Sequence, residues 1–119
     1  MEFNNNKAIY LQIMDLICEK VLKGNWTEGD KIPSVRQMAV ELEVNPNTVA
    51  RSYSALQDDG VIFNKRGIGY FISEDAIKVV QQFSKTEFLK NDIPNFFKKM
   101  NLLGISIEEL SNLYDQQSN

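Results

Sequence analysis

The sequence predicts a mainly α-helical protein with one small β-hairpin, and three observations predict it. Apolar residues recur at helical spacing over most of the 119 residues. Two helix-capping signals, at Ser34 and Asn45, fall close together near the middle of the first half. A single stretch, 61–72, combines β-branched and aromatic residues with a glycine turn.

Taken in order, Ala8 to Lys23 carries Ile9, Ile13, Leu16, Ile17 and Val21 on one face of a helix, and Gly24 stops it. Residues 25–33 hold two turn formers and Pro33, which bars its predecessor from helix, so a turn and a short extended piece follow, with Trp26 as a lid on the first helix. Ser34-Val35-Arg36-Gln37 is a capping box, opening a short helix whose inner face is Val35, Met38, Ala39 and Leu42. Asn45-Pro46 restarts a helix, since Asn is a strong N-cap and Pro suits the first helical position. This third helix runs from Pro46 to about Asp59, before Gly60. Two capped helices about three residues apart have helix-turn-helix spacing. Strands 61–65 and 68–72, joined through Arg66-Gly67, make a hairpin with a Lys-Arg tip. Three helices and a basic hairpin describe a winged helix-turn-helix over 1–73.

From 74 to 119 the composition turns to helix formers, giving a C-terminal helical region. Ile77, Val80 and Phe83 mark one helix, and Ile93, Phe96, Phe97 and Met100 another. Pro94 lies either in the first turn of that second helix or at a kink in one long helix. Ser106-Ile107-Glu108-Glu109 is a second capping box before a helix with Leu110, Leu113 and Tyr114, and a frayed tail is expected from Asp115. No internal repeat or low-complexity segment is visible.

Composition narrows the function. The chain has 13 Lys plus Arg, 16 Asp plus Glu, no His and one Cys. Without His there is no imidazole base, no Ser-His or Cys-His pair and no His-containing metal site. One Cys excludes intrachain disulfides and thiolate-cluster zinc sites, and Cys18 sits among apolar residues as a structural thiol suits a reducing compartment. No cluster of titratable groups suggests an enzyme, and Gly67-Ile68-Gly69 lacks the strand-to-helix setting of a nucleotide fingerprint. No cofactor or metal is expected. Residues 1–7 lack the basic and apolar regions of a signal peptide, and no apolar run approaches the roughly 20 residues that span a bilayer, so the cytoplasm is the expected compartment.

On the third helix Val49, Tyr53 and Leu56 fall within about 60° of one another and form its buried face. Asn47, Arg51 and Ser54 project opposite, flanked by Thr48 and Ala50. Arg suits guanine, Asn adenine, and Thr a phosphate or base, so this face has the equipment to read a major groove of double-stranded DNA. An isolated polar stripe is more often a solvated face. Here the capped helix before it and the basic hairpin after it supply the helix-turn-helix context. Ser34 is a cap first; with Arg36 in the same turn, that helix start suits a phosphate. Lys65 and Arg66, with Gly67 and Gly69 allowing close approach, fit a wing along the backbone or minor groove.

Residues 1–73 hold 8 basic and 9 acidic side chains, and 74–119 hold 5 and 7. DNA binding must therefore rest on a local patch of Arg36, Arg51, Lys65 and Arg66, doubled by dimerisation, with modest non-specific affinity and strong salt sensitivity. Winged helices also dock proteins, and the acidic balance keeps a protein-interaction module as the alternative.

The runs Tyr10-Leu11-Gln12-Ile13, Gly24-Asn25-Trp26, Gly29-Asp30-Lys31-Ile32-Pro33-Ser34-Val35-Arg36, Val44-Asn45-Pro46-Asn47-Thr48-Val49, Arg51-Ser52-Tyr53, Leu56, Gly60-Val61-Ile62 and Arg66-Gly67-Ile68-Gly69 closely resemble the GntR family of bacterial transcription regulators. The resemblance covers about 8–72, and the short helical tail is similar to the YtrA subfamily, where that region serves dimerisation. It implies a homodimeric regulator, a repressor by expectation, on a palindromic operator, often of an ABC-type transport operon. It places DNA contacts on Ser34 and Arg36, on Asn45, Asn47, Thr48 and Arg51, and on Lys65, Arg66, Gly67 and Gly69. Ile68 stands where the family usually has a polar or basic residue, and Tyr70 where a small hydroxyl residue is common. The metabolite, metal or pyridoxal phosphate domains of larger members do not fit so short a tail.

Independently of family, Phe83, Phe88, Ile93, Phe96, Phe97, Met100, Leu110 and Leu113 are too many apolar groups for the tail to bury alone, which argues for a twofold homodimer. The alternative is that the Phe cluster lines an effector pocket; a small-molecule effector is compatible with the sequence but not indicated by it.

Overall fold

The computed structural model describes Phe3 and residues 6–117. Helix α1, Ile9–Leu22, buries Ile13, Ile17, Cys18 and Val21, the expected face. It ends when the Lys23 N–H bonds to Glu19 and the Gly24 N–H to Val21. The Trp26 N–H then donates to the Lys20 carbonyl at 3.2 Å. Its half-buried indole lies under Lys20, whose Nζ is 5.2 Å from the ring centroid, so it covers α1 as its position suggested.

Helix α2, Val35–Leu42, carries the complete capping box: the Gln37 N–H donates to Ser34 Oγ at 3.1 Å, and the Ser34 N–H to Gln37 Oε1 at 2.9 Å. Its buried side chains are Met38 and Ala39, with Val35 and Leu42 partly covered. The turn that follows holds Glu43 at φ 56°, a left-handed residue of the kind that closes a helix tightly. Helix α3, Pro46–Asp58, starts from Asn45, whose Oδ1 accepts from the Asn47 N–H at 2.8 Å. It buries Val49, Ser52, Tyr53 and Leu56.

Strands β1, Ile62–Lys65, and β2, Gly69–Ile72, pair antiparallel in the register Ile62 with Ile72 and Phe63 with Phe71. Each is one residue shorter than expected, at Val61 and Ile68. The extended piece before α2 joins them: the Gly29 N–H donates to Ile72, Ile72 to Asp30, and Ile32 to Tyr70, at 2.9 to 3.0 Å. Alternation along β1 and β2 sends Ile62 and Ile72 inward and leaves Phe63 and Phe71 stacked at 5.7 Å on the other face.

These elements close over one core in which Ile13, Ile17, Val49, Tyr53, Leu56, Val61 and Val80 have no exposed surface. Each large side chain there contributes about 1.5–3 kcal/mol through removal from water. Ala76 and Val80, from the start of helix α4, Ala76–Glu87, belong to this core. The chain accordingly divides into compact units at Met1–Gln82 and Phe83–Asn119, some turns beyond the change in composition at Ser73.

In the second unit the helical backbone passes from α4 through a π-helical turn, Phe88–Asp92, into α5, Ile93–Leu102. The Ile93 N–H bonds to the Phe88 carbonyl, five residues back. The wider turn puts Pro94, which has no N–H to give, in the first turn of α5. Pro94 thus follows continuous helix, and a local widening takes the place of a break. Helix α6, Ile107–Gln117, starts where the Glu109 N–H donates to Ser106 Oγ at 3.1 Å. It extends through residues expected to fray; 118 and 119 lie outside those described.

Candidate nucleic-acid interface

The third helix presents what the periodicity assigned it. Val49, Tyr53 and Leu56 are buried, while Asn47, Ala50, Arg51 and Ser54 are exposed and Thr48 is half-buried. The helix is held rigidly enough to offer that face. Ser52, fully buried, sets its hydroxyl 2.7 Å from the Tyr10 carbonyl of α1 and 3.2 Å from the Thr48 carbonyl. Tyr53, also fully buried, donates its hydroxyl to the Pro33 carbonyl at 2.6 Å and meets the Tyr70 ring edge-on at 4.9 Å. Burial, then Glu41 and Tyr70, pushes the Tyr53 phenol well above its ordinary pKa, so it stays a donor at any physiological pH. This side chain connects α3, the entry to α2 and the wing. It also explains Tyr70, whose ring is the packing partner that a small hydroxyl residue would not provide.

The individual site residues differ in what they have free. Ser34 is exposed, yet its hydroxyl and N–H are both engaged with Gln37, so its role at the start of α2 is structural first, and Arg36 beside it is the exposed charge. Asn45 is exposed with its Oδ1 occupied by the cap, leaving its amide NH₂ as the group that can face a ligand. Asn47 is exposed at the tip of α3. Arg51 is exposed but not loose: its Cζ lies 3.8 Å from the centroid of the Tyr10 ring. The sequence gives no sign of this Tyr10 contact, because a partner 41 positions away leaves no periodic signal.

On the wing, Lys65 and Arg66 are exposed, with Lys65 Nζ 4.8 Å from the Phe71 centroid. Gly67, at φ 78°, makes the turn itself. Gly69, at φ 144°, holds a backbone conformation that residues with side chains rarely adopt, and the Lys31 chain end lies over it, its Cε 3.0 Å from where a β-carbon would stand. Lys31, in the extended piece before α2 and bridged to Phe71, is a further exposed cation beside this hairpin. Its signal was its place in the motif before Pro33. A concave surface of about 360 Å³ lies between the starts of α1 and α3, lined by Ala8, Ile9, Tyr10, Asn47, Thr48 and Arg51.

The eight tail residues expected at a dimer contact are not equivalent. Phe83, Phe88, Phe96, Phe97 and Leu113 are exposed by 37 to 54%, whereas Ile93 and Leu110 are half-buried. Met100, 6% exposed, fills the interior of its own unit and has little surface left to offer a partner. A depression of about 440 Å³ is lined by Phe96, Lys99, Met100, Leu103, Ile105, Leu110 and Leu113; of the Phe cluster, only Phe96 borders it. Among the described residues no three His, Cys, Asp or Glu side chains gather as a metal site, and no helix is long and apolar enough to cross a membrane.

A capped helix pair with an exposed polar stripe and a basic hairpin beside it defines a winged helix-turn-helix regulator. The sequence profile of the bacterial regulatory proteins of the gntR family matches residues 9–72. The HTH-type transcriptional regulator YhcF of Bacillus subtilis (strain 168) is 39% identical over 109 residues, covering 92% of this chain and 88% of that one. The HTH-type transcriptional repressor YtrA of the same strain is 37% identical over 106 residues, covering 89% and 81%. A crystal structure of a GntR-family regulator from Bacteroides thetaiotaomicron superposes with a TM-score of 0.74 at 46% identity, over 94% of this chain and all of that one. The chain belongs to the GntR family and is a DNA-binding transcriptional regulator rather than an enzyme.

Proposed function

We propose that the chain is a cytoplasmic repressor that binds as a homodimer to a palindromic operator, of a transporter operon by the family resemblance. The observation that carries this reading is the exposed stripe of Asn47, Arg51 and Ser54 on a helix whose other face is locked into the core. On this reading Asn47 and Arg51 meet base edges, while Thr48 and the Asn45 amide hold nearby backbone. Arg36 and the start of α2 meet one phosphate run; Lys65 and Arg66, brought close by Gly67 and Gly69, meet another. Exposed Phe83, Phe88, Phe96, Phe97 and Leu113, with the edges of Ile93 and Leu110, give a second copy an apolar surface, and Met100 supports it from within. The name of YtrA as a repressor, at 37% identity over most of both chains, supports repression over activation. Selecting bound duplexes from a random pool tests the whole: two inverted half-sites are expected, spaced by whole helical turns. Absence of any shared site would favour a protein-docking module instead.

A further inference from the structure

We infer that Tyr10 is a positioning residue for Arg51, and that the ring of α1 helps decide which base pair α3 selects. Three observations converge. The guanidinium lies over the Tyr10 ring, Cζ 3.8 Å from its centroid. The two backbones are pinned together next door, where the buried Ser52 hydroxyl lies 2.7 Å from the Tyr10 carbonyl. Both side chains line one concave surface with Asn47 and Thr48, the two polar residues at the reading end of α3.

The chemistry follows from how a guanidinium donates. Its N–H groups lie in the plane of the fork, so a ring against one face leaves the edge free for bidentate contact. An exposed arginine ordinarily loses rotamer freedom when it meets a ligand, which weakens binding; one already stacked on an aromatic ring has lost much of it beforehand. The ring also fixes the direction of the fork, and direction is what separates base recognition from charge attraction. The inference rests on the reading that Arg51 meets a base edge, and its test is arranged to tell failure of one from failure of the other.

Full-length Tyr10→Phe, Tyr10→Leu, Arg51→Ala and the Tyr10→Leu/Arg51→Ala double variant are titrated against the selected duplex and a random duplex of equal length. Arg51→Ala should lower the ratio of specific to random affinity by about fivefold or more. Tyr10→Leu should lower it roughly threefold with random affinity unchanged, Tyr10→Phe should keep it, and Tyr10→Leu should add nothing once Arg51 is gone. Equal losses for Phe and Leu, an undiminished loss in the Arg51→Ala background, or no loss with Leu would each overturn the positioning role while leaving the base-reading role standing. An unchanged ratio for Arg51→Ala would instead remove the base-reading role, and this inference with it. If Tyr10→Leu does not fold, Tyr10→Met, which keeps apolar bulk without an aromatic face, replaces it: the same roughly threefold loss is expected, and a ratio equal to that of the parent would defeat the proposal.

Discussion

The two compact units solve the burial problem in opposite ways. Residues 1–82 contain the hydrophobic core, with Ile13, Ile17, Tyr53 and Leu56 wholly out of water. In 83–119, Met100 is the buried hydrophobic residue among those described, while Phe88, Leu89, Phe96, Leu103, Ile107 and Leu113 stand about half exposed or more. A protein surface normally shows its large apolar groups singly. The first unit thus has a core of its own, with Val40, Ile68 and Ile77 left exposed around it, while the second leaves most of its large apolar side chains at the surface, as the proposed homodimer requires.

The contrast can be broken at its strong side first. Leu56→Ala should cost about 2–5 kcal/mol of unfolding free energy, because it opens a cavity in a dense core; denaturant melts at several protein concentrations should show that loss undiminished at each. Next, Phe97→Glu should weaken self-association by about 2 kcal/mol or more, read by sedimentation equilibrium, while the circular dichroism of the folded chain is kept. A tail indifferent to this charge would end the half-interface view.

Finer cuts sharpen the picture within the first unit. Tyr53→Phe leaves the Pro33 carbonyl without its donor and should cost about 1–3 kcal/mol, with the wing's amide exchange rising together with that of α3. Ser34→Ala removes one arm of the capping box and should cost about 1 kcal/mol, also by denaturant melt. The smallest effect near neutral pH concerns Cys18, which burial, then Asp15 and Asp59, pushes up to about 12 from an ordinary 9.0. Folding therefore favours the protonated thiol: its contribution is unchanged below pH 9, and stability falls as pH rises from 9 toward 12, where only the unfolded chain ionises freely. Alkylation of Cys18 at pH 8 should be slow in the native chain and fast in urea.

Much of this architecture was legible from local chemistry. Ser34 and Asn45 announce helix starts because a side-chain oxygen beside an unpaired N–H acts within three residues, and both caps form as read. The buried triad of Val49, Tyr53 and Leu56 follows from period alone. The illegible parts are long-range or purely of the backbone. The Tyr10 ring finds Arg51 across the fold, and the Ser52 hydroxyl finds α1 from 42 positions away. The π-helical turn before Pro94 is a change of hydrogen-bond register with no side-chain signature, so the two alternatives for Pro94 could be named but not resolved. Met100 shared the spacing of its exposed neighbours, and only packing separates it from them.

The phenol of Tyr53 has one more consequence, for anyone grafting specificity between relatives. A hairpin transplanted alone would bring its own residue to position 70 and leave the edge-on seat at 53 mismatched. Positions 33, 53 and 70 should therefore travel as a set in any chimera, with the exposed positions of α3 exchanged separately.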